Sequence, residues 1–206
     1  MQKVVSVSTA VLLVLAVLSG CTPAETVEPT TTPSPTTPTE TASPTTPSET
    51  FTMPSDCTTI LPESRIASFS AENIILLAGP GGKYGDELIT QSTPEMDAGG
   101  ISCYFGVDSD DPSLLSISVL LSVVPLNSTN SSGVISTLEG QGLLKGTDTA
   151  GHLTYGIAGN SESQTTAAYS VVTTDSWISG VSGTGGEDSL TQLMQLTSEM
   201  HDVLYN

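Results

Sequence analysis

The sequence predicts an α+β domain, an antiparallel sheet of about five to six strands with helices packed on it. Two patterns carry that expectation. Across much of residues 100–181, short apolar runs alternate with serine and other polar side chains at a period of two, and turn residues separate the runs. At both ends of residues 51–206, and once in the middle, apolar side chains recur instead at helical spacing. The chain of 206 residues suits one such domain with extensions. Its composition divides it into residues 1–20, residues 21–50 and a globular part, residues 51–206.

Leu61-Pro62-Glu63 has the form of a helix start, with proline early and an acid in the first turn. A short helix to about Phe69 is expected. Residues 73–77 are a compact apolar run that ends at Gly79-Pro80-Gly81-Gly82, which predicts a buried strand and a turn. From Gly100 to Val107 the side chains alternate. Ile101, Cys103, Phe105 and Val107 share one face, and Ser102 and Tyr104 take the other. After a turn at residues 108–112, Leu115, Ile117, Val119, Leu121 and Val123 share a face opposite Ser116, Ser118 and Ser122. These two runs predict a β-hairpin with one buried side.

Ser131 or Ser132 can cap a helix carrying Val134, Ile135 and Leu138. Strands follow at Leu153, Tyr155 and Ile157, at Ala167, Tyr169 and Val171, and over residues 177–181. A last helix carries Leu190, Leu193, Met194, Thr197, Met200 and Leu204 on one face. Core packing is the expectation for its two methionines. The order hints at a helix-strand-strand-strand unit used twice.

The first 20 residues carry a different signal. Lys3 gives a positive start, and residues 4–18 are almost wholly apolar, as in a signal peptide. That run is short for a permanent span, which needs about 20 apolar residues. Leu18-Ser19-Gly20-Cys21 then has the pattern of a bacterial lipobox. The Cys21 thiolate is expected to accept a diacylglyceryl group, and acyl chains would hold the protein to a membrane. Residues 22–50 are nearly all Thr, Pro, Ser, Glu and Ala. Such a tract has too little apolar surface to offset the entropy of ordering, so a disordered tether is expected, extended where prolines repeat. Its Ser/Thr-Pro content suits O-glycans.

Lys and Arg number four against 22 Asp and Glu, a net charge of −18. An anionic surface repels phosphate backbones, which argues against nucleic acid as a partner. With Cys21 lipidated, Cys57 and Cys103 remain in an oxidising compartment, where an even pair is expected to form a structural disulfide. Free buried thiols, a redox pair and a metal site are the alternatives. CxxC spacing and neighbouring histidines, which the last two need, are missing.

Catalytic patterns fail on particular residues. Tyr84 follows Gly82-Lys83 where a phosphate loop needs Ser or Thr. Gly180-Val181-Ser182 lacks the closing glycine of a nucleophile elbow, since Thr184 stands there. His152 and His201 are the two histidines. One opens a strand and the other lies on the last helix, and both read as surface residues. No motif calls for a cofactor. The carboxylates with a claim on a cation are Asp108, Asp110 and Asp111. An EF-hand loop starting there is excluded, because Ser113 and Val119 occupy the positions of its glycine and glutamate. Asp86 and Glu87 read as solvated loop residues.

The lipobox, the Thr/Pro spacer, Cys57 just before the first helix and Cys103-Tyr104 on a strand resemble small cell-wall lipoproteins of high-GC Gram-positive bacteria. The resemblance implies an uncharacterised family and transfers no functional residues. The expectation is a non-catalytic binding or interaction module, lipid-anchored on the outer face of the cytoplasmic membrane and projecting into the cell wall. Its partner would be an envelope protein, a wall component or a small ligand. An exposed groove lined by Tyr104, Tyr155, Tyr169 or Trp177 would favour that reading. The alternatives are an envelope-acting hydrolase and a calcium-dependent surface protein.

Overall fold

The computed structural model describes residues 49–111 and 115–205. The signal segment, Cys21, nearly all of the tether and the tip of the first hairpin, with Pro112 to Leu114, lie outside them. Among the described residues no helix is long and apolar enough to cross a membrane.

A 3-10 turn, Cys57–Thr59, leads into α1 (Glu63–Ala71), β1 (Ile74–Ala78), α2 (Pro94–Asp97), β2 (Ile101–Val107) and β3 (Ser116–Pro125). Then come α3 (Ser131–Gly140), β4 (Leu144–Thr147), β5 (Leu153–Ile157), β6 (Ala168–Val172), β7 (Ser176–Ser182) and α4 (Glu187–Leu204). The fold is α+β, as expected, with seven strands in one antiparallel sheet ordered β1-β2-β3-β7-β6-β5-β4. The additional strand is β4, Leu-Lys-Gly-Thr, which has no alternation to announce it. It also spoils the expected repeat, because α3 is followed by four strands where α1 is followed by three. The two halves meet at β3 and β7, the last strand of each.

Helices cover both faces of the sheet. On one, α1 and α4 bury Phe69, Leu193, Leu196, Met200 and Leu204 against Cys103, Phe105, Leu121, Val123 and Ile178. Fully burying a side chain of this size contributes about 1.5–3 kcal/mol. Gly180 lets α4 sit close to β7, since a Cβ there would lie 2.9 Å from Leu193 Cδ2. Arg65 on α1 joins Glu199 on α4 through a two-pronged ion pair, at 2.7 and 2.6 Å. On the other face, α3 places Val134 and Leu138 against Val124, Tyr155, Val172 and Trp177.

That second layer corrects the one-sided hairpin. Ser102 and Ser122, expected in solvent, are buried. They bond to each other at 2.8 Å, and Thr93 beside α2 bonds to Ser102 at 2.8 Å. Ser122 pairs in register with Ser179, and Ser179 with Ser170, so one row of serine hydroxyls crosses four strands. The buried Glu95 of α2 accepts a bond from Ser179 at 2.6 Å, and Trp177 donates to Ser170 at 3.1 Å. A buried hydroxyl needs such a partner. Near the hairpin tip the apolar face opens, with Val107 38% and Ile117 44% exposed. A bulge between Phe105 and Gly106 breaks the register there.

Cys57 and Cys103 form the expected disulfide, with 5.6 Å between their Cα atoms. It ties the 3-10 turn to β2 under the Gly79 turn, where the Cys57 amide donates to the Pro80 carbonyl at 2.8 Å.

Candidate functional site

The helical layer is narrower than the sheet beneath it. α4 lies over β7 and β6, while β5 and β4 continue past it. A groove of about 700 Å³ runs along this step. Its floor is Thr154, Tyr169 and Val171 from β5 and β6, and its outer wall is the turn between β4 and β5. The inner wall is α4, which presents Met194, Thr197, Ser198, His201 and Asp202 at helical spacing. This stripe adjoins the core-facing one, and Met194, expected in the core, is 47% exposed here.

The outer wall is built by one aspartate. Asp148 Oδ1 accepts from the amides of Ala150 at 2.9 Å and His152 at 2.8 Å, which closes the turn. Its Oδ2 lies 3.0 Å from His152 Nδ1. Partial burial raises the Asp148 pKa, yet the bonds from the His152 amide and ring and the Ala150 amide outweigh it and leave the carboxyl below its ordinary range. An ionised carboxylate can only accept, so Nδ1 carries the proton and Nε2 is the nitrogen available to a ligand.

Across the groove stands His201, its ring centroid 5.4 Å from that of His152. On its other side it stacks on Tyr205 at 4.1 Å, and Phe51 follows at 5.6 Å from Tyr205. The column holds because residues 51 and 205 pair as an isolated bridge and the Thr52 amide donates to the Leu204 carbonyl at 2.9 Å. The same segment brings Glu49 to the groove and to an adjoining recess of about 210 Å³, which His152, His201, Thr173, Asp175 and Tyr205 also line. Tyr205 Oη lies 2.5 Å from Asp175 Oδ1 and 2.7 Å from both Thr173 Oγ1 and Ser176 Oγ. Burial, and then the bond donated to Asp175, push this phenol up to about 12. Burial also raises the Tyr169 hydroxyl.

The structure thus brings together the two histidines that read separately as surface residues. Of the four aromatics expected to line a groove, Tyr169 does. Tyr155 and Trp177 are buried under α3, and Tyr104 lies on β2, away from the groove. Asp108 accepts bonds from Lys83 Nζ and, at 2.6 Å, from Tyr84 Oη; these hold its carboxyl below the ordinary range, Lys83 first. Asp110 and Asp111 are exposed, and the Asp111 amide donates to Ser109 Oγ at 3.2 Å. Among the described residues no three His, Cys, Asp or Glu side chains are grouped to hold a metal ion. A second cleft of about 240 Å³, between α1 and β1, is lined by Ile66, Phe69, Ile74, Leu76 and Phe105 among others. It is mainly apolar, with few polar groups to orient a ligand.

No protein-family model matches the chain, and neither does any curated protein or solved structure.

Proposed function

We propose that this protein is a lipid-anchored binding module of the cell envelope, and that the groove beside α4 is its ligand site. Cys21 would carry the lipid, the Thr/Pro tract would act as a spacer, and the domain would stand outside the cytoplasmic membrane. One observation supports the site above the others: a groove of small-molecule size in which two imidazoles, Tyr169 and a partly exposed methionine converge with carboxylates. Ligand sites combine apolar and aromatic walls with a few convergent polar groups.

Thermal unfolding of the full chain in non-ionic detergent, against cations, wall fragments and lipids, tests the site. A ligand that binds only the folded state must raise Tm. A shift that disappears in Tyr169→Ala and His201→Ala supports the groove. A shift that survives both places the ligand elsewhere. The anchor has its own test: Cys21→Ser should release the protein from the membrane fraction, and equal retention would end the lipoprotein reading.

A second reading, an envelope-acting hydrolase, draws on the Asp148–His152 pair. A carboxylate that holds Nδ1 leaves Nε2 able to act as a general base. Among the described residues neither imidazole bonds to a Ser or Thr hydroxyl, so water would be the nucleophile. Turnover of wall fragments that His152→Gln abolishes would favour this reading, and no turnover would remove it.

A further inference from the structure

We infer that the ligand of this groove is a small organic cation, an ammonium or guanidinium group on an apolar or aromatic body, and that protonation of the histidine pair releases it. The inference rests on the groove being the ligand site. Its first support is charge. Glu49, Asp148 and Asp202 line the groove, Asp175 lines the adjoining recess, and among the described residues no Lys or Arg lines either. A cleft walled by one sign of charge concentrates counter-ions of the other. An anionic ligand would have to lose solvent beside these carboxylates, which selects against it.

The second support is the kind of surface between the carboxylates. Tyr169, His152, His201 and Tyr205 supply rings, and Val171 and Met194 supply apolar contact. A cation held over an aromatic face gains from the ring quadrupole, and a thioether adapts to varied shapes. A bare metal ion would want several ligands converging on one point. An organic cation needs a carboxylate and a ring for its head and an apolar wall for its body.

The histidines make the site sensitive to protons. His152 is faced by Asp148 from its own turn, by His201 from α4 and by Glu49 from the N-terminal segment. His201 is faced by His152, by Tyr205 and Asp202 near its own helix end, by Glu49, and by Asp175 from the turn between β6 and β7. Adding a proton to either ring puts positive charge among the carboxylates that would hold the ligand, so acid weakens binding.

The test uses two probes of the same shape and opposite charge, phenethylamine and phenylacetate, titrated calorimetrically into the full chain in detergent. Phenethylamine should bind saturably at pH 7.5 and about tenfold more weakly at pH 5.5. Phenylacetate should not bind. Asp202→Asn and Asp148→Asn should each weaken the amine several-fold; Asn keeps an oxygen for the turn amides, and circular dichroism checks the fold. The double variant His152→Gln/His201→Gln should bind the amine more weakly at pH 7.5, because two rings of the groove are gone, and the binding that remains should be the same at pH 5.5. Binding of phenylacetate in preference to the amine would overturn the cation while leaving the groove as a ligand site. Equal amine affinity at both pH values would overturn the histidine switch. No binding of either probe, with no Tm shift from the wider panel, would overturn the groove itself.

Discussion

Replacing both bridged cysteines, Cys57→Ala/Cys103→Ala, measures how far the disulfide stabilises this domain. The bridge closes a span of 46 residues. In the chain-entropy model, opening a loop of that length returns about 4 kcal/mol of freedom to the unfolded state. A domain of this size typically has only about 5–15 kcal/mol in total. Both sulfurs are fully buried, so the alanines also leave small voids, and 4 kcal/mol is the lower side of the expected loss. For a domain of about 150–250 residues each kcal/mol moves Tm by about 2–4 °C, which gives a fall of about 8–16 °C. Thermal unfolding followed by circular dichroism, with the thiol content of the wild type checked before and after reduction, reads this directly. A double variant melting within about 3 °C of the oxidised wild type would refute the reasoning. It would mean that the 3-10 turn and the Gly79 turn already confine this span in the unfolded chain. The groove should be untouched, because β3 and β7 lie between β2 and its nearest floor strand β6.

Gly79→Ala should destabilise the domain by about 2 kcal/mol or more, read as a lower urea midpoint. Its φ is +102°, and a Cβ would lie 2.3 Å from the Ser102 carbonyl oxygen. Wild-type stability would rule out that close approach. Tyr205 makes an alkaline prediction. Its pKa is raised to about 12 in the folded state, so its contribution is fully present below about pH 10 and is lost as pH rises towards 12. Urea midpoints should fall across that window in the wild type and less steeply in Tyr205→Phe; parallel curves would refute the assignment. Calcium at millimolar concentration should move Tm by less than about 1 °C, because Asp108 is already engaged by Lys83 and Tyr84. A larger rise would restore the calcium reading of the Asp108 turn.

The parts of the fold that could be read ahead are those where local pattern and tertiary burial agree. The hairpin of β2 and β3 and the last helix carry long runs at a single period, and both stand where expected. The serines misled because alternation reports polarity and not solvent. Ser102, Ser122, Ser170 and Ser179 look like an outer face, yet α2 and α3 lie over them, and each buried hydroxyl has a partner: Ser102 and Ser122 bond to each other, Ser179 to Glu95 and Ser170 to Trp177. β4 escaped for the opposite reason. All four of its residues are exposed, Leu144 at 76%, so an edge strand of Lys, Gly and Thr has no buried face to impose a pattern.

The groove could not be read at all, and the cause is topological. Asp148 and His152 are spaced for a shared turn, and the Asp-Thr-Ala-Gly-His run could have been taken as one with its aspartate bonded forward. Nothing local connects that turn to His201. The connection needs the sheet to run outward from β7 through β6 to β5 and β4, so that the turn between β4 and β5 comes to rest beside the C-terminal end of a helix that follows β7. It also needs a helix with two adjacent stripes. Leu193, Leu196, Met200 and Leu204 hold α4 to the sheet, and that anchoring leaves Met194, Ser198, His201 and Asp202 facing the step. A sheet two strands narrower would leave the second stripe in solvent, where a methionine and a histidine mean nothing. The site is therefore a product of the uncovered strands, and β4, the element with the least sequence signal, is what gives the groove its outer wall.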